Sequence, residues 1–359
     1  MSRTYRFPAI DRVVHGAGAV GDVPAIVEEL RAQRVVILTG RTLAEQTDQI
    51  AELERALGGV HVATFARMRA HAPRADVDDA VAMVQESGAD LLIGYGGSSV
   101  TDATKIVAVR SGTDAIRQIH IPTTLSSGEW TPASGMTGDV PGVKTYVVDP
   151  RMAPHTIVLD PEATLNTPME LWLSTGMKAI DHACEAMWGP RAHAVTDTLA
   201  TEAIRTLRRT LPRTLATPRD LDARAASQIA GWMSMAGVLN VRVHLSHTLG
   251  HQIGARWDVP HGLTSGITLP AVMRHLEAEN PGGAARVAAA FDVSTVDAGA
   301  DAISALVESL GLATRLRDVG ANRADFPAVA EATLAAGQAT GYVPTGGADS
   351  LVALLDEMW

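Results

Sequence analysis

The chain has 359 residues, of which 46% are hydrophobic and 19% charged, and its formal net charge is −10. This length and apolar content predict a globular protein that is large enough for two domains. The negative charge and the lack of a basic stretch exclude a nucleic-acid partner and disfavour binding to anionic membranes.

Apolar runs and cysteine content limit the location of the protein. The longest apolar runs, such as residues 35–38 and 91–93, are too short to span a bilayer, and the opening MSRTYRF lacks the apolar core of a signal peptide. We therefore expect a cytoplasmic protein without membrane contact. The lone Cys184 excludes an internal disulfide and a cysteine-rich metal cage. We interpret it as a small buried residue of a helix.

The first half of the chain alternates β-branched runs with helical patterns, which is typical of βαβ units around a parallel sheet. Strands are predicted at residues 34–40, 90–95 and 120–122, and each one leads into a loop that contains glycine and hydroxyl residues. Further short strands are predicted at residues 144–148 and 156–160. Loops at the carboxyl ends of such strands are where open α/β sheets bind ligands.

After Pro161 the pattern changes to long amphipathic helices with few β-branched runs. Apolar residues recur at helical spacing over three ranges, residues 168–188, about 194–210 and 223–253. We therefore predict an α/β domain at residues 1–162 and a helical domain at residues 163–359. An active site is expected in the cleft between two such domains.

Two loops rich in glycine and hydroxyl residues follow neighbouring predicted strands. The first, GYGGSSVTD at residues 94–102, precedes a helix, so its glycines allow the backbone to approach a pyrophosphate near helix-end N–H groups. A tight turn without a ligand is an alternative for this loop alone. The second, PTTLSSG at residues 122–128, adds four hydroxyls and another glycine. Together the two loops favour a dinucleotide site.

The end of the first predicted strand bears on the choice between NADH and NADPH. At this position an Asp or Glu usually binds the ribose 2′-hydroxyl of NADH, whereas an Arg accommodates the 2′-phosphate of NADPH. This chain has Thr39, Gly40 and Arg41. We therefore expect NADPH, or both cofactors.

Four histidines in the second half give the strongest chemical signal. His247 and His251 are four residues apart on a predicted helix, so they project from one face. His261 follows at a predicted turn, and His182 belongs to a separate helix. Three histidines within 15 residues at this spacing favour a metal or catalytic site over purely structural roles.

The order of these motifs resembles that of the group-III, iron-containing alcohol dehydrogenases over essentially the whole chain. The motifs are GGSSVTD with Lys105, PTTLSSGE, GMKAIDHACEA and HTLGHQIGARWDVPHG. The run TTLSSGEWTP at residues 123–132, with His71 and Pro73, is more similar to the maleylacetate reductase branch. The resemblance implies a Rossmann-like dinucleotide-binding domain followed by an all-α domain, the dehydroquinate synthase-like fold. It also implies NADH or NADPH as cofactor, a small-molecule substrate and a homodimer.

Candidate site residues follow from the loops, the histidines and the resemblance. The cofactor-binding candidates are Gly40, Gly96, Gly97, Ser98, Asp102, Thr123, Thr124, Ser127 and Lys144. In metal-dependent relatives the ligands are an Asp, a His four residues later and two further histidines. The three histidines correspond to His182, His247 and His261. His251 matches a family histidine that lies beside the nicotinamide and passes protons.

Lys178 stands where the family has its aspartate ligand, four residues before His182. The exchange replaces a carboxylate by an ammonium. At about 4 Å and an effective dielectric of about 20, each pairing with a unit charge is worth about 4 kcal/mol. We therefore expect weak or no binding of a divalent metal such as iron or zinc. Asp181 is not an easy substitute, because it points about 100° around the helix from His182.

We interpret Lys178 as a catalytic cation that polarises a substrate carbonyl or binds a substrate carboxylate, while His251 or His247 relays a proton. The predicted function is a metal-free, NAD(P)H-dependent reductase. Its substrate is a small, carboxylate-bearing molecule that is reduced at a carbonyl or an activated C=C.

Two alternatives stay open. The first is a metal-dependent alcohol or aldehyde dehydrogenase that uses the three candidate histidine ligands. The second is a non-redox descendant on the same fold, such as a lyase, a cyclase or a ligand-binding protein. In the second alternative, Lys178 merely pairs with an acid such as Asp181 or Glu185.

Overall fold

The computed structural model describes Tyr5 and residues 7–138, 144–340 and 342–359, with the backbone alone at residues 144, 145, 339 and 340. These residues form two compact units. The first unit ends at Thr167, and the second runs from Pro168 to Trp359 and includes Tyr5. The predicted cofactor contact of the Lys144 side chain lies outside the described residues.

A parallel sheet of six strands forms the centre of the first unit. The strands are β1 (Arg12–His15), β2 (Val35–Leu38), β3 (His61–Phe65), β4 (Leu91–Gly96), β5 (Arg117–Pro122) and β8 (Thr156–Leu159). Their order in the sheet is β1-β8-β5-β4-β2-β3. Two further strands, β6 (Ala133–Thr137) and β7 (Lys144–Val148), form a separate antiparallel pair. The strand predicted at residues 144–148 is therefore present, but it lies outside the parallel sheet.

Both faces of this sheet are covered by helices. The helices of the first unit are α1 (Val23–Glu29), α2 (Arg41–Gln46), α3 (Gln49–Leu57), α4 (Arg74–Ser87) and α5 (Ser98–Arg110). Along β2, Val35 and Ile37 face an apolar core that includes α1 and α3, whereas Val36 and Leu38 face one that includes α4 and α5. A strand with both faces buried is apolar at every position, which explains the continuous VVIL run.

The second unit is built from helices around the buried helix α6. They are α6 (Met169–Trp188), α7 (Ala194–Ala216), α8 (Leu221–Val238), α9 (Leu245–Trp257), α10 (His261–Glu279), α11 (Pro281–Ala290), α12 (Val296–Ser309), α13 (Phe326–Thr340) and α14 (Gly347–Glu357). Every residue of α6 from Trp172 to Trp188 is buried. An α/β unit followed by a helical unit confirms the predicted fold class.

The helical pattern predicted at residues 223–253 is two helices in the structure. The chain leaves α8 after Val238 and enters α9 at Leu245, and Arg242 between them has a positive φ of 47°. A left-handed residue cannot continue a right-handed helix. The predicted helical pattern is therefore interrupted, although apolar residues continue at helical spacing across the break. Among the described helices, none combines the length and apolar character that crossing a membrane requires.

Candidate active site

The first predicted loop joins β4 directly to α5. Gly96 ends the strand, and Gly97 is the N-cap of α5, which begins at Ser98. A Cβ atom on Gly96 would lie 2.8 Å from Cγ2 of Val100, and one on Gly97 would lie 3.1 Å from Cγ2 of Thr124. The loop thus packs too closely for larger residues. It presents the backbone at the start of a helix, where N–H groups lack intrahelical partners.

The two predicted loops lie side by side because β4 and β5 are neighbours, with Gly96 opposite Pro122. The N–H of Thr123 donates to the carbonyl of Gly96 at 3.0 Å, and Ser127 turns the second loop with a φ of 61°. Thr123 and Thr124 are both buried. The structure therefore brings these predicted cofactor residues together at one edge of the sheet.

The end of β2 borders the same edge, because β2 pairs with β4. Gly40 is the N-cap of α2. Just before it, Oγ1 of Thr39 is buried and has no hydrogen-bond partner among the described residues. No carboxylate follows this strand directly, in agreement with the sequence Thr-Gly-Arg. A buried, unsatisfied hydroxyl at this edge of the sheet fits a dinucleotide, which offers many polar atoms to such an edge.

The buried ammonium of Lys105 on α5 holds the end of the second loop and the residues that follow it. Its Nζ donates to the carbonyls of Gly128 at 2.7 Å, Ala133 at 2.6 Å and Thr131 at 3.2 Å. The predicted cofactor residue Asp102 is half-buried, 3.8 Å from the same nitrogen. Burial lowers the pKa of Lys105. The lysine belongs to the sequence motif, but its internal role depends on the fold of the loop and was not predicted.

In the second unit, Lys178 and Asp181 on α6 form a buried ion pair. The Nζ of Lys178 donates to Oδ2 of Asp181 at 2.8 Å and to Nδ1 of His247 at 3.1 Å. The same oxygen of Asp181 accepts from Oγ of Ser265 at 2.9 Å. The pairing of Lys178 with an acid, which the non-redox alternative expects, is thus present. The lysine nevertheless also contacts the histidine cluster.

All four predicted histidines lie in one row of rings. The ring centroids of His182 and His247 are 5.7 Å apart, and those of His247 and His251 are 4.4 Å apart. His251 and His261 stack at 4.7 Å with an interplanar angle of 22°. Three helices supply the row, α6, α9 and the start of α10. The spacing in the sequence therefore correctly grouped these residues, while their individual roles stay predictions.

Charge in this cluster is carried by Lys178 and Asp181. Burial, followed by the charge of Lys178, lowers the pKa of His182 to about 3 and that of His247 well below its usual value. Burial opposes ionisation of Asp181, but the pairing with Lys178 lowers its pKa below the usual value. Both imidazoles are therefore neutral at pH 7. Since Nδ1 of His247 accepts from an ammonium, its Nε2 carries the proton.

Glu185, also on α6, holds the start of α9, the helix that carries His247 and His251. Its carboxyl accepts the main-chain N–H groups of His244 and, at 3.3 Å, of His247. Burial raises the pKa of Glu185 to about 8. From the sequence, Glu185 was proposed only as an acid that could pair with Lys178. Its spacing of three residues from His182 is a signal that could have placed it on the same helical face.

The donor set fits a fixed ammonium better than a divalent metal. The family pattern would use His182, His247 and His261 as ligands, but an ammonium lies 3.1 Å from Nδ1 of His247. The nearby carboxylate of Asp181 is bound by Lys178 and Ser265. Within the described ranges, no three or more His, Cys, Asp or Glu side chains are arranged to hold a metal ion.

Comparison with known proteins identifies the family of this chain. Residues 11–161 match the family described as "Iron-containing alcohol dehydrogenase", and residues 172–359 match "Fe-containing alcohol dehydrogenase family, C-terminal". The chain is 35% identical to maleylacetate reductase 2 of Cupriavidus pinatubonensis, over 78% of this chain and 76% of that protein. It is 32% identical to maleylacetate reductase 1 of Rhodococcus opacus, over 89% and 87% of the two chains.

A solved structure extends the similarity to the whole fold. The crystal structure of a maleylacetate reductase from Agrobacterium tumefaciens matches with a TM-score of 0.88 at 28% identity, covering 100% of this chain and 98% of that one. The predicted resemblance is therefore confirmed. The chain is an oxidoreductase that belongs to the iron-containing alcohol dehydrogenase family, in its maleylacetate reductase-like branch.

Proposed function

We propose that the protein reduces maleylacetate, or a close analogue, with NADH or NADPH and without a bound metal. The observation that carries this proposal is the ammonium of Lys178, which lies 3.1 Å from Nδ1 of His247 where metal-dependent relatives have a carboxylate ligand. The curated relatives named maleylacetate reductase support the choice of substrate.

The first unit would hold the cofactor. Gly96, Gly97 and Thr124 would lie against its pyrophosphate, and Thr39 and Gly40 would lie near its ribose. Because no carboxylate directly follows β2, repulsion of a 2′-phosphate is weak, and both NADH and NADPH are expected to bind. When bound, the reduced nicotinamide supplies a hydride.

The second unit would stabilise the charge that hydride addition creates. Maleylacetate has a C=C conjugated with a ketone. Hydride addition to the C=C carbon farther from the ketone gives an enolate, in which the ketone oxygen carries negative charge. Lys178 would donate a hydrogen bond to this oxygen, and fixed donors of this kind stabilise such anions strongly in a buried site. His251 would then act as a general acid and deliver a proton to the enolate carbon next to the ketone.

The oligomeric state and the cellular location are inferred from the sequence and its resemblance to the family. We expect a homodimer in the cytoplasm, and light scattering of the purified protein tests the dimer.

Oxidation of NADH and of NADPH, followed with maleylacetate and with a panel of short aldehydes, tests the proposed function. We expect faster oxidation with maleylacetate than with any aldehyde. Oxidation with aldehydes alone would assign a different substrate class. If neither substrate is reduced and the protein quenches no NADH fluorescence, the assignment to redox chemistry is wrong.

A further inference from the structure

We propose that Asp181 and Ser265 are positioning residues that turn Lys178 into a directed hydrogen-bond donor for the reacting carbonyl oxygen of the substrate. The inference rests on the proposed function and names the substrate group that this lysine contacts. Neither residue is among the candidates that the sequence identified as catalytic. Both act through Lys178.

The carboxylate of Asp181 is held in a fixed geometry. Asp181 is 0% exposed, and one of its oxygens accepts from Lys178 at 2.8 Å and from Ser265 at 2.9 Å. Asp181 and Lys178 lie three residues apart on α6, whereas Ser265 belongs to α10. The carboxylate is therefore held by a second helix, so it cannot rotate freely with the lysine. A long, flexible lysine side chain needs such an anchor to stay in one orientation.

The ammonium of Lys178 has more N–H donors than the described residues use. A lysine ammonium has three N–H bonds and no acceptor. One N–H is used by Asp181 and one by Nδ1 of His247. In the part of the chain that the structure describes, Lys178 has no third hydrogen-bond acceptor. Since Lys178 is 7% exposed, this remaining N–H is the donor that a bound substrate can reach.

The net charge of the Lys178–Asp181 pair limits which substrate group can bind beside it. The pair of Lys178 and Asp181 has no net charge, so adding a substrate carboxylate would leave an uncompensated negative charge in a buried site, which is strongly unfavourable. A carbonyl oxygen brings no charge to the ground state and becomes negative only during the reaction. The pair is therefore suited to stabilise the transition state of carbonyl or enone reduction, and the substrate carboxylates must bind to other groups.

The test uses Asp181→Asn and Ser265→Ala in the full-length enzyme. Ser227→Ala is the matched control, because it removes another buried hydroxyl of the helical unit, one that bonds to Thr210 and to the carbonyl of Ala223. We expect Asp181→Asn to lower kcat for maleylacetate by about 10–100-fold, since loss of orientation costs effects of this size. Ser265→Ala should lower kcat by a smaller factor. Neither variant should change the KM for NADH, and the control should keep the kcat of the wild type.

A second readout separates positioning from simple loss of structure. NMR of protein with labelled histidine nitrogens reports which ring nitrogen of His247 carries the proton. We expect the Nε2-protonated form in the wild type and a mixture of tautomers in Asp181→Asn, because the lysine no longer donates steadily to Nδ1. Unchanged kcat in both variants, or an unchanged His247 spectrum in Asp181→Asn, would overturn the proposal.

The two proposals fail in different ways. If the wild type does not reduce maleylacetate, the proposed function is wrong, but the His247 spectrum still decides the positioning. A spectrum that changes in Asp181→Asn and not in Ser227→Ala supports it. A spectrum that is the same in all three proteins refutes it.

Discussion

The two units each contain a buried lysine beside a candidate site, and the partners of these lysines differ. In the first unit, Lys105 donates to the carbonyls of Gly128, Thr131 and Ala133, so protein oxygens can take all three of its N–H bonds. In the second unit, Lys178 donates to a carboxylate and an imidazole. No third acceptor for Lys178 lies among the described residues, and we propose that its remaining N–H serves the substrate. The number of donors that the protein leaves unused would then distinguish a structural lysine from a catalytic one.

The candidate sites of the two units also differ in the kind of groups that they present. The first unit presents mainly backbone and hydroxyl groups from loops at one sheet edge, which suits a cofactor that must bind and leave. The second unit presents titratable side chains from three helices, held by hydrogen bonds such as those of Glu185 to the start of α9. Changes in the first unit should therefore affect cofactor binding and stability, and changes in the second should affect turnover.

The largest effect on activity is expected from Lys178→Met. It should lower kcat for maleylacetate by about 10²–10³-fold, which is the usual loss when one donor to a developing anion is removed. The dissociation constant for NADH, measured by fluorescence titration, should stay the same, because the predicted cofactor loops belong to the first unit and Lys178 belongs to the second.

Lys105→Met is the matched variant for this comparison. It removes a donor from the carbonyls of Gly128, Thr131 and Ala133, and the Thr131 hydroxyl can replace that donor at only one of them. Each carbonyl left without a donor costs about 1–3 kcal/mol, so the free energy of unfolding and the affinity for NADH should fall. The kcat at saturating NADH should change much less than in Lys178→Met. Equal losses of kcat in the two variants would contradict the distinction between the lysines.

A pH-dependent loss of stability is expected from Glu129, which is 3% exposed and directly follows the second loop of the first unit. Burial raises its pKa from 4.5 to about 7, although the nearby Lys105 opposes the shift. The folded state therefore binds the proton more tightly than the unfolded state. Its contribution to stability is full below pH 4.5 and is lost as the pH rises through about 7.

The size of this loss follows from the shift in pKa and is about 3 kcal/mol. Urea unfolding at about pH 5 and about pH 8 measures it, with Glu129→Gln as the comparison, because the amide does not titrate. The wild type should lose more stability than Glu129→Gln between the two conditions. Parallel pH profiles of the two proteins would show that Glu129 is not the titrating group.

The smallest effect is expected from Glu185→Gln. The amide retains one acceptor oxygen but replaces the other by a donor, which faces a main-chain N–H at the start of α9. The free energy of unfolding should fall by about 1 kcal/mol. Thermal unfolding of the variant beside the wild type checks this value. A more stable variant would mean that the carboxyl does not support this helix end.

The sequence allowed the central strands and the histidine row to be predicted, because their signals are local. β2 and β4 are apolar at successive positions, and the histidines on α9 have the spacing of one helical face. The edge strands β1 and β3 were not predicted, since they are only partly buried and lack such runs. The break between α8 and α9, which includes the left-handed Arg242, was not predicted because apolar residues continue at helical spacing across it.

The hydrogen bonds that support Lys178 and α9 could not be predicted from the sequence, for a different reason. Lys178 was identified by its place before His182, but its link through Asp181 to Ser265 joins residues 84 positions apart on two helices. Likewise, the capping of α9 by Glu185 depends on how α6 packs beside it. Spacing in a sequence reveals which residues share a helix face, whereas hydrogen bonds between helices require the packed structure.

The central claim, that an ammonium replaces the metal of related enzymes, is tested most directly by metal removal. Turnover of maleylacetate should be measured after chelation and dialysis, with the metal content determined, and again after iron(II) or zinc is added. We expect the same kcat in the metal-depleted enzyme and no increase on addition of either ion. Turnover that disappears on chelation and returns with a metal would contradict it.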